Sequence, residues 1–170
     1  MSLPTLTVAT EDGIFIMACT TQGVCRLEFP VQNQKTITNA DASSVDKNTV
    51  RLATAALQKI LNGKTPDALP PLDLSAATPF RQRVWRELQK IPPGTTKSYA
   101  AIARAIGSPQ AARAVGAACG ANPIPLFIPC HRVITTGGKL GGFSAGLRWK
   151  RLLLEREAAA CHSSLPAATS

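Results

Sequence analysis

The stretch Ala111-Ala112-Arg113-Ala114-Val115-Gly116-Ala117-Ala118-Cys119-Gly120 restricts the fold more than any other part of the chain. Alanine favours the helix, and Gly107-Ser108-Pro109 marks a turn before it, so a helix is expected from about Pro109 to Gly120. Such a helix has almost no side-chain surface, and Arg113 is its only charge. It cannot anchor a core, which needs buried apolar area, and it lacks the polar dress of a solvated face. What it can do is let another surface come very close.

The surrounding charge suggests which surface. Residues 1–78 carry six Lys/Arg against seven Asp/Glu, a net of −1, whereas residues 79–170 carry thirteen against three, a net of +10. A basic half beside a near-neutral half suits a polyanion, and the absence of a long basic amphipathic helix favours nucleic acid over a membrane surface. A helix from Ser98 to about Ile106 precedes the bare one, and a pair joined by a short Gly-containing turn resembles a helix-turn-helix. Most such pairs read the major groove with long polar side chains. This second helix has none, so the narrow minor groove fits it better. Tight helix–helix packing within the domain is the competing use of small residues. Arg113 favours the groove, because a packed interface would have to pair its charge.

Towards the N-terminus, Leu6–Thr10, Ile14–Cys19 and Val24–Phe29 are short runs of β-branched and apolar residues separated by Asp12-Gly13 and Gln22-Gly23. They are expected to form a three-stranded antiparallel meander. Residues 30–44 are polar and patternless and read as loop. Val50, Ala53, Leu57, Ile60 and Leu61 recur at helical spacing up to Asn62-Gly63, giving a helix to cover the sheet. Leu72–Leu74 can add a strand, and Ala76-Ala77-Thr78 reads as a linker. Thr78 then caps a helix with Pro79 at its first position and Phe80, Val84, Leu88 and Ile91 on one face. The fold class is α+β in two parts: an N-terminal unit over 1–76, a mostly helical C-terminal unit over 79–160, and a tail over 161–170.

The chemistry points to Ile128-Pro129-Cys130-His131-Arg132-Val133-Ile134. A thiol becomes a nucleophile when positive or proton-accepting neighbours populate its thiolate, and His131 and Arg132 are such neighbours. On an extended strand adjacent side chains diverge, so Cys130 and His131 share a proton only through a turn or a bridging water. The bland alternative is a small buried hydrophobe. Gly137-Gly138 and Gly141-Gly142 give residues 135–146 the look of a mobile loop, with Phe143 and Ser144 placed to line a pocket. The last helix, about Leu147 to Ala160, has Leu152 and Leu153 inward and Arg148, Lys150, Arg151 and Arg156 among its polar positions. Glu155 or Glu157 could orient His131. Five cysteines without a regular framework suit a reducing compartment, and four metal ligands at usable spacing are missing. No basic-apolar leader or membrane-length segment is seen near Met1 or beyond, so a cytoplasmic protein is expected, or a nuclear one in a eukaryote, without membrane attachment.

From Pro79 to about Glu157 the sequence resembles the O6-alkylguanine-DNA alkyltransferases. The signature is Pro129-Cys130-His131-Arg132-Val133. It is joined in order by Phe80-Arg81-Gln82-Arg83-Val84-Trp85, Ser98-Tyr99, Ala111-Ala112-Arg113-Ala114-Val115-Gly116, Asn122-Pro123 and Ser144-Ala145-Gly146-Leu147. The resemblance implies a ribonuclease-H-like N-terminal unit and a suicide repair reaction. A damaged guanine is flipped out of double-stranded DNA bound through its minor groove, and the alkyl group passes irreversibly to Cys130. O4-alkylthymine as a further substrate is left open. By the same resemblance His131 takes the thiol proton through a water, Glu157 orients His131, and Tyr99 helps to protonate the departing guanine. Asn122 braces the turn before the nucleophile. The backbone at Cys130 and Val133 holds the base's exocyclic amine, Ser144 approaches its oxygen, and Arg113, flanked by Ala112 and Ala114, fills the gap in the base stack. The resemblance implies no cofactor, and the Cys/His ligands that some members use for an N-terminal zinc are missing here. A monomer is expected, with cooperativity on DNA open. Phe143 stands where some members have tyrosine.

Two other classes of function compete. A non-enzymatic lesion sensor of the alkyltransferase-like kind shares the bare helix but has tryptophan at the cysteine position. A cysteine hydrolase using Cys130 and His131 is poorly served by two adjacent residues and a basic half.

Overall fold

The chain opens with β1 (Thr5–Thr10), β2 (Gly13–Thr20) and β3 (Gly23–Glu28), an antiparallel sheet in that order, as the three short apolar runs predict. In this computed structural model, which describes residues 3–30 and 44–163, the register sets Thr10 opposite Gly13 and Thr20 opposite Gly23. Each hairpin is therefore a two-residue loop. Thr10 Oγ1 closes the first by donating to the Gly13 carbonyl at 2.9 Å and accepting from the Asp12 amide at 3.2 Å. β2 is central and buried on both faces from Phe15 to Cys19, so it reads as a continuous apolar run.

Helix α1 (Lys47–Leu61) starts three residues before the first apolar position, because the Asp46 side chain accepts from the Thr49 amide and caps it. Of the expected face Ala53, Leu57, Ile60 and Leu61 are buried and Val50 is half-buried, and Ala56 joins them. Most of the expected loop, residues 31–43, lies outside the described residues. The expected strand at Leu72–Leu74 shrinks to one parallel bridge between Leu72 and Val24. Pro70 and Pro71 precede it and supply no amide donors, which limits pairing there.

Helix α2 (Pro79–Leu88) has Thr78 as its cap and Pro79 at its first position. It stops three residues short of Ile91, which is buried in the turn beyond. Strand β4 (Lys97–Ser98) leads through the Ser98 cap into α3 (Tyr99–Ala105). Helix α4 (Ala112–Gly120) starts later than the sequence suggests, after a turn closed by the Ala111 amide on the Ser108 carbonyl. The Trp85 indole donates to the Ala118 carbonyl at 2.9 Å and ties α2 to α4. Beyond it come a 3₁₀ turn at Cys130–Arg132, β5 (Val133–Ile134) paired in parallel with β4, and α5 (Leu147–Ser163). Helix α5 runs through Cys161 to Ser163, past the expected Ala160. The remainder of the expected tail, 164–170, lies outside the described residues.

Buried apolar residues from Leu6 in the sheet to Leu153 in α5 form one cluster. Contacts of three kinds fasten the sheet to the C-terminal elements. The Leu27 amide donates to the Pro123 carbonyl at 2.8 Å. Phe29 stacks edge-on against Trp149 with ring centres 4.9 Å apart. Arg156 forks onto Asp12 at 2.6 and 2.8 Å. The sheet thus braces α5 from behind.

Candidate active site

Cys130 does not sit on an extended strand. Its backbone forms the 3₁₀ turn, with the Arg132 amide on the Pro129 carbonyl at 3.0 Å and the Cys130 amide on the Ile128 carbonyl at 2.8 Å. The turn changes the direction of successive side chains, which is the condition for Cys130 and His131 to work together. Cys130 is 3% exposed, and the Asn122 amide donates to both its Sγ (3.1 Å) and the Ile128 carbonyl (2.9 Å). Asn122 Oδ1 accepts from the Ile124 amide at 3.0 Å. Asn122 therefore braces the turn and points a donor at the sulfur.

The electrostatics overturn one expectation. Burial pushes the Cys130 thiol up to about 11; the Asn122 donor, the Lys150 charge and the turn's own amide pull it back only in part. The resting group is a neutral thiol rather than a standing thiolate. Arg132 gives the thiol no help, because its guanidinium turns the other way. It binds Glu157 through Nε at 3.0 and 3.2 Å and Nη2 at 2.8 Å, and donates from Nη1 to the Ile91 carbonyl at 2.6 Å.

Glu157 is 1% exposed and also accepts from the Gly94 amide at 3.0 Å and from His131 at 2.8 Å. Burial alone would raise its carboxyl; the His131 and Arg132 hydrogen bonds and charges outweigh burial and hold it at about 2. A carboxylate only accepts, so the proton of the neutral imidazole lies on His131 Nε2 and Nδ1 keeps a lone pair. Burial pushes the imidazolium down, Glu157 pulls it up, and Arg132 and Lys150 push it down again, with a net fall. His131 Nδ1 is the one buried side-chain polar atom among the described residues without a partner. An unpartnered base thus sits in the residue next to a neutral thiol.

The glycine-rich loop, residues 135–146, closes over this turn. Gly141 has φ +67°, and a Cβ there would lie 2.7 Å from the Tyr99 hydroxyl, so only glycine lets the loop pass. Tyr99 is half-buried at the start of α3; burial raises its hydroxyl, with the Cys119 and Cys130 thiols adding to the rise. Phe143 stands edge-on to His131 with ring centres 6.4 Å apart and to Phe29 at 5.8 Å. Ser144 is exposed and makes no contact with the thiol; it lines a cleft of about 560 Å³ with Phe29, Asn122, Pro123, Pro125 and Trp149. Val133 is fully buried.

Helix α4 turns one face to this cluster, with buried Cys119 near Cys130 and Gly116 against the Tyr99 ring, and the other face outward. Val115, Ala118 and Cys119 face inward, while Arg113, Ala114, Ala117 and Gly120 are exposed and Ala112 is half-exposed. Nothing lies within 4 Å of a Cβ built on Gly120, and Arg113 has no hydrogen bond or ion pair among the described residues. The bare face is open rather than packed.

The sequence reading missed two residues here. Lys150, assigned to a polar face, is fully buried, with Nζ donating to the Val133 carbonyl at 2.6 Å and the Gly142 carbonyl at 3.2 Å. Arg132 anchors Glu157 instead of activating Cys130. A signal for Lys150 was available: Leu153 was read as inward, and Lys150 and Glu157 lie three before and four after it, on the same helical stripe. Leu152, also read as inward, is only half-buried.

Comparison with known proteins adds to this geometry. Residues 79–159 match the family described as 6-O-methylguanine DNA methyltransferase, DNA binding domain. A methylated-DNA–protein-cysteine methyltransferase of Mycobacterium tuberculosis is 57% identical over 86 residues, 51% of this chain and 52% of that relative. The match spans about half the length of the first curated relatives. A probable methylated-DNA–protein-cysteine methyltransferase of Acanthamoeba polyphaga mimivirus is 44% identical over 109 residues, 64% of this chain and 72% of the relative. The mixed α/β fold, with its small antiparallel sheet and five helices among the described residues, is similar to the crystal structure of Mycobacterium tuberculosis OGT in complex with DNA. That similarity has a TM-score of 0.74 at 38% identity and covers 90% of this chain and 91% of the other.

Proposed function

We propose a function on one premise: this chain belongs to the 6-O-methylguanine DNA methyltransferase family. The protein takes a methyl or other alkyl group from O6 of guanine in duplex DNA and keeps it on Cys130, so each chain acts once. The observation that carries this reading is His131 Nδ1, a buried lone pair without a partner in the residue next to a buried neutral thiol. A thiol held up to about 11 needs a local base at the moment of reaction, and Glu157 keeps His131 in the tautomer that supplies one.

The Sγ–H bond of Cys130 breaks, and its proton passes through a water to His131 Nδ1. The sulfur lone pair forms the new bond to the alkyl carbon. The bond from that carbon to O6 breaks, its electron pair stays on the guanine, and Tyr99 protonates the departing base. Glu157 offsets the charge of the imidazolium, and Arg132 holds Glu157 in place. The backbone at Cys130 and Val133 holds the base's exocyclic amine, and Ser144 approaches its oxygen.

Recognition is assigned to α3 and α4 acting as a helix-turn-helix that enters the minor groove. Ala112 and Ala114 allow close approach, and Arg113 replaces the flipped base in the stack. Flipping costs a few kcal/mol, less for a poorly paired lesion, and the groove contacts offset it. A face with one long side chain reads little sequence, as a repair protein that must scan all DNA requires. The sheet and α1 are assigned to a ribonuclease-H-like brace, and the protein acts as a monomer where the genome lies. A cysteine rather than a tryptophan at position 130 disfavours the sensor reading.

The test is to incubate the protein with duplex DNA containing O6-methylguanine, digest it and weigh the peptide holding Cys130. One methyl replacing one hydrogen is expected. An unmodified peptide from a protein that still binds the duplex would support the sensor instead.

A further inference from the structure

Lys150 takes no part in the steps above, yet it is among the most deeply buried side chains, on α5 two turns before Glu157. Two observations set it apart. Its ammonium joins two separate segments, donating to the carbonyl of Val133 just after the catalytic turn and to that of Gly142 in the loop over it. It also has no carboxylate within ion-pair distance among the described residues, whereas the other buried cation, Arg132, is matched by Glu157. A buried charge without an anion is costly, and two carbonyl dipoles repay it only in part.

The groups facing this ammonium are the Cys130 thiol from the 3₁₀ turn, the Cys119 thiol from α4 and the His131 imidazole. Tyr99, on α3, faces the two thiols in turn. Burial pushes the Lys150 ammonium down, and Cys130 and Cys119 pull it back up. Burial raises both thiols, and Asn122 directs its donor to Cys130 and not to Cys119. With Cys130 as the proposed alkyl acceptor, it is the thiol at which negative charge develops.

We propose that Lys150 is a positioning residue for alkyl transfer: it fastens the glycine-rich loop to the strand after the nucleophile and provides the fixed counter-charge for the thiolate that forms at Cys130. The assignment rests on Cys130 being the alkyl acceptor. The counter-charge takes no proton in the step, which still passes from Sγ to His131.

The test uses Lys150→Met, which keeps the bulk but removes donors and charge, and Lys150→Gln, which keeps a donor without charge. Two reactions are followed against pH: transfer from free O6-benzylguanine, and alkylation of Cys130 by iodoacetamide, which needs neither the loop nor a base pocket. Both variants should show the iodoacetamide midpoint raised by about one pH unit, so that the reaction near neutrality is about tenfold slower. Lys150→Gln should recover part of the O6-benzylguanine rate, through its bond to a loop carbonyl, and none of the midpoint shift. Unchanged midpoints in variants that melt cooperatively overturn the counter-charge; unchanged O6-benzylguanine rates overturn the fastening. Should neither variant fold, the ¹⁵Nζ resonance of Lys150 in the unaltered protein decides, since it should move as the Cys130 thiol titrates and a static signal overturns the assignment. Failure of the unaltered protein to react with O6-benzylguanine would count against Cys130 as acceptor, and the iodoacetamide midpoints would still decide the role of Lys150.

Discussion

The catalytic turn and the outer face of α4 follow opposite plans. In the turn, Cys130, His131 and Arg132 are each at most 7% exposed, and Glu157 gathers an imidazole, a guanidinium and a backbone amide. On α4, Arg113, Ala114, Ala117 and Gly120 face outward, and Arg113 has no partner among the described residues. The difference teaches a division of labour. The chemical groups are organised by the protein alone, so their electrostatics are set before any substrate arrives. On the proposed function the bare face of α4 is left unfilled for DNA, so its energy appears only when the duplex fills it. A substitution in one region should change readouts that a substitution in the other leaves alone.

The largest effect is expected from Glu157→Gln. Removing the anion leaves the Arg132 charge buried without its partner, which costs about 3–5 kcal/mol. Melting should fall by on the order of 10 °C, and transfer should slow equally with duplex and with free O6-benzylguanine. A loss confined to duplex would break the contrast between the regions. Next comes Arg113→Ala, which should slow transfer from duplex by on the order of a hundredfold, as loss of a few kcal/mol of support for a flipped base implies. Its melting point and its rate with the free base should stay as in the unaltered protein; equal losses with both substrates would remove Arg113 from the stack.

Ala114→Leu sharpens the same side. A larger group on the bare face should weaken duplex binding by about tenfold, a penalty near 1.4 kcal/mol, without lowering stability, because the position faces solvent. Binding unchanged in a fluorescence titration would mean that the groove does not come close.

The smallest effect is in pH. Glu157 is lowered in the fold, so its contribution to stability is complete above the ordinary carboxylate value of 4.5 and is lost as pH falls towards about 2. His131 is lowered too, so its neutral form stabilises the fold above about 6.5 and that contribution fades as pH falls below it. Cys130 is raised, so its contribution holds below 9.0 and is lost between 9.0 and about 11. Melting points measured across pH should therefore decline on both flanks. Glu157→Gln should remove the loss between 4.5 and about 2 and keep the loss below about 6.5, because His131 without its anion is lowered further, while Arg113→Ala should leave both flanks as they are.

Much of the scaffold was legible because it is written in local periods and punctuation. The sheet follows from short apolar runs broken near Asp12-Gly13 and Gln22-Gly23, although Gly13 and Gly23 already pair in strands, and α2 from the Thr78-Pro79 start. The open face of α4 followed from a shortage of side chains, although only the structure separated open from packed. Three features were hidden because they belong to distant partners. Arg132 looked like an activator of its neighbour, yet its guanidinium is claimed by Ile91 and Glu157, 41 and 25 residues away. The thiol was expected to be acidic from its neighbours in sequence, but its desolvation is a property of the whole fold. Lys150 was sorted by residue type onto the wet side of α5, although its stripe is shared by Leu153 and Glu157.

The central claim is that the buried turn, not a renewable site, receives the alkyl group, so the number of lesions removed per chain tests it most directly. With O6-methylguanine duplex in excess, loss of lesions should stop at one per chain, in step with methylation of Cys130. Continued removal beyond one, or removal with Cys130 unmodified, would contradict it.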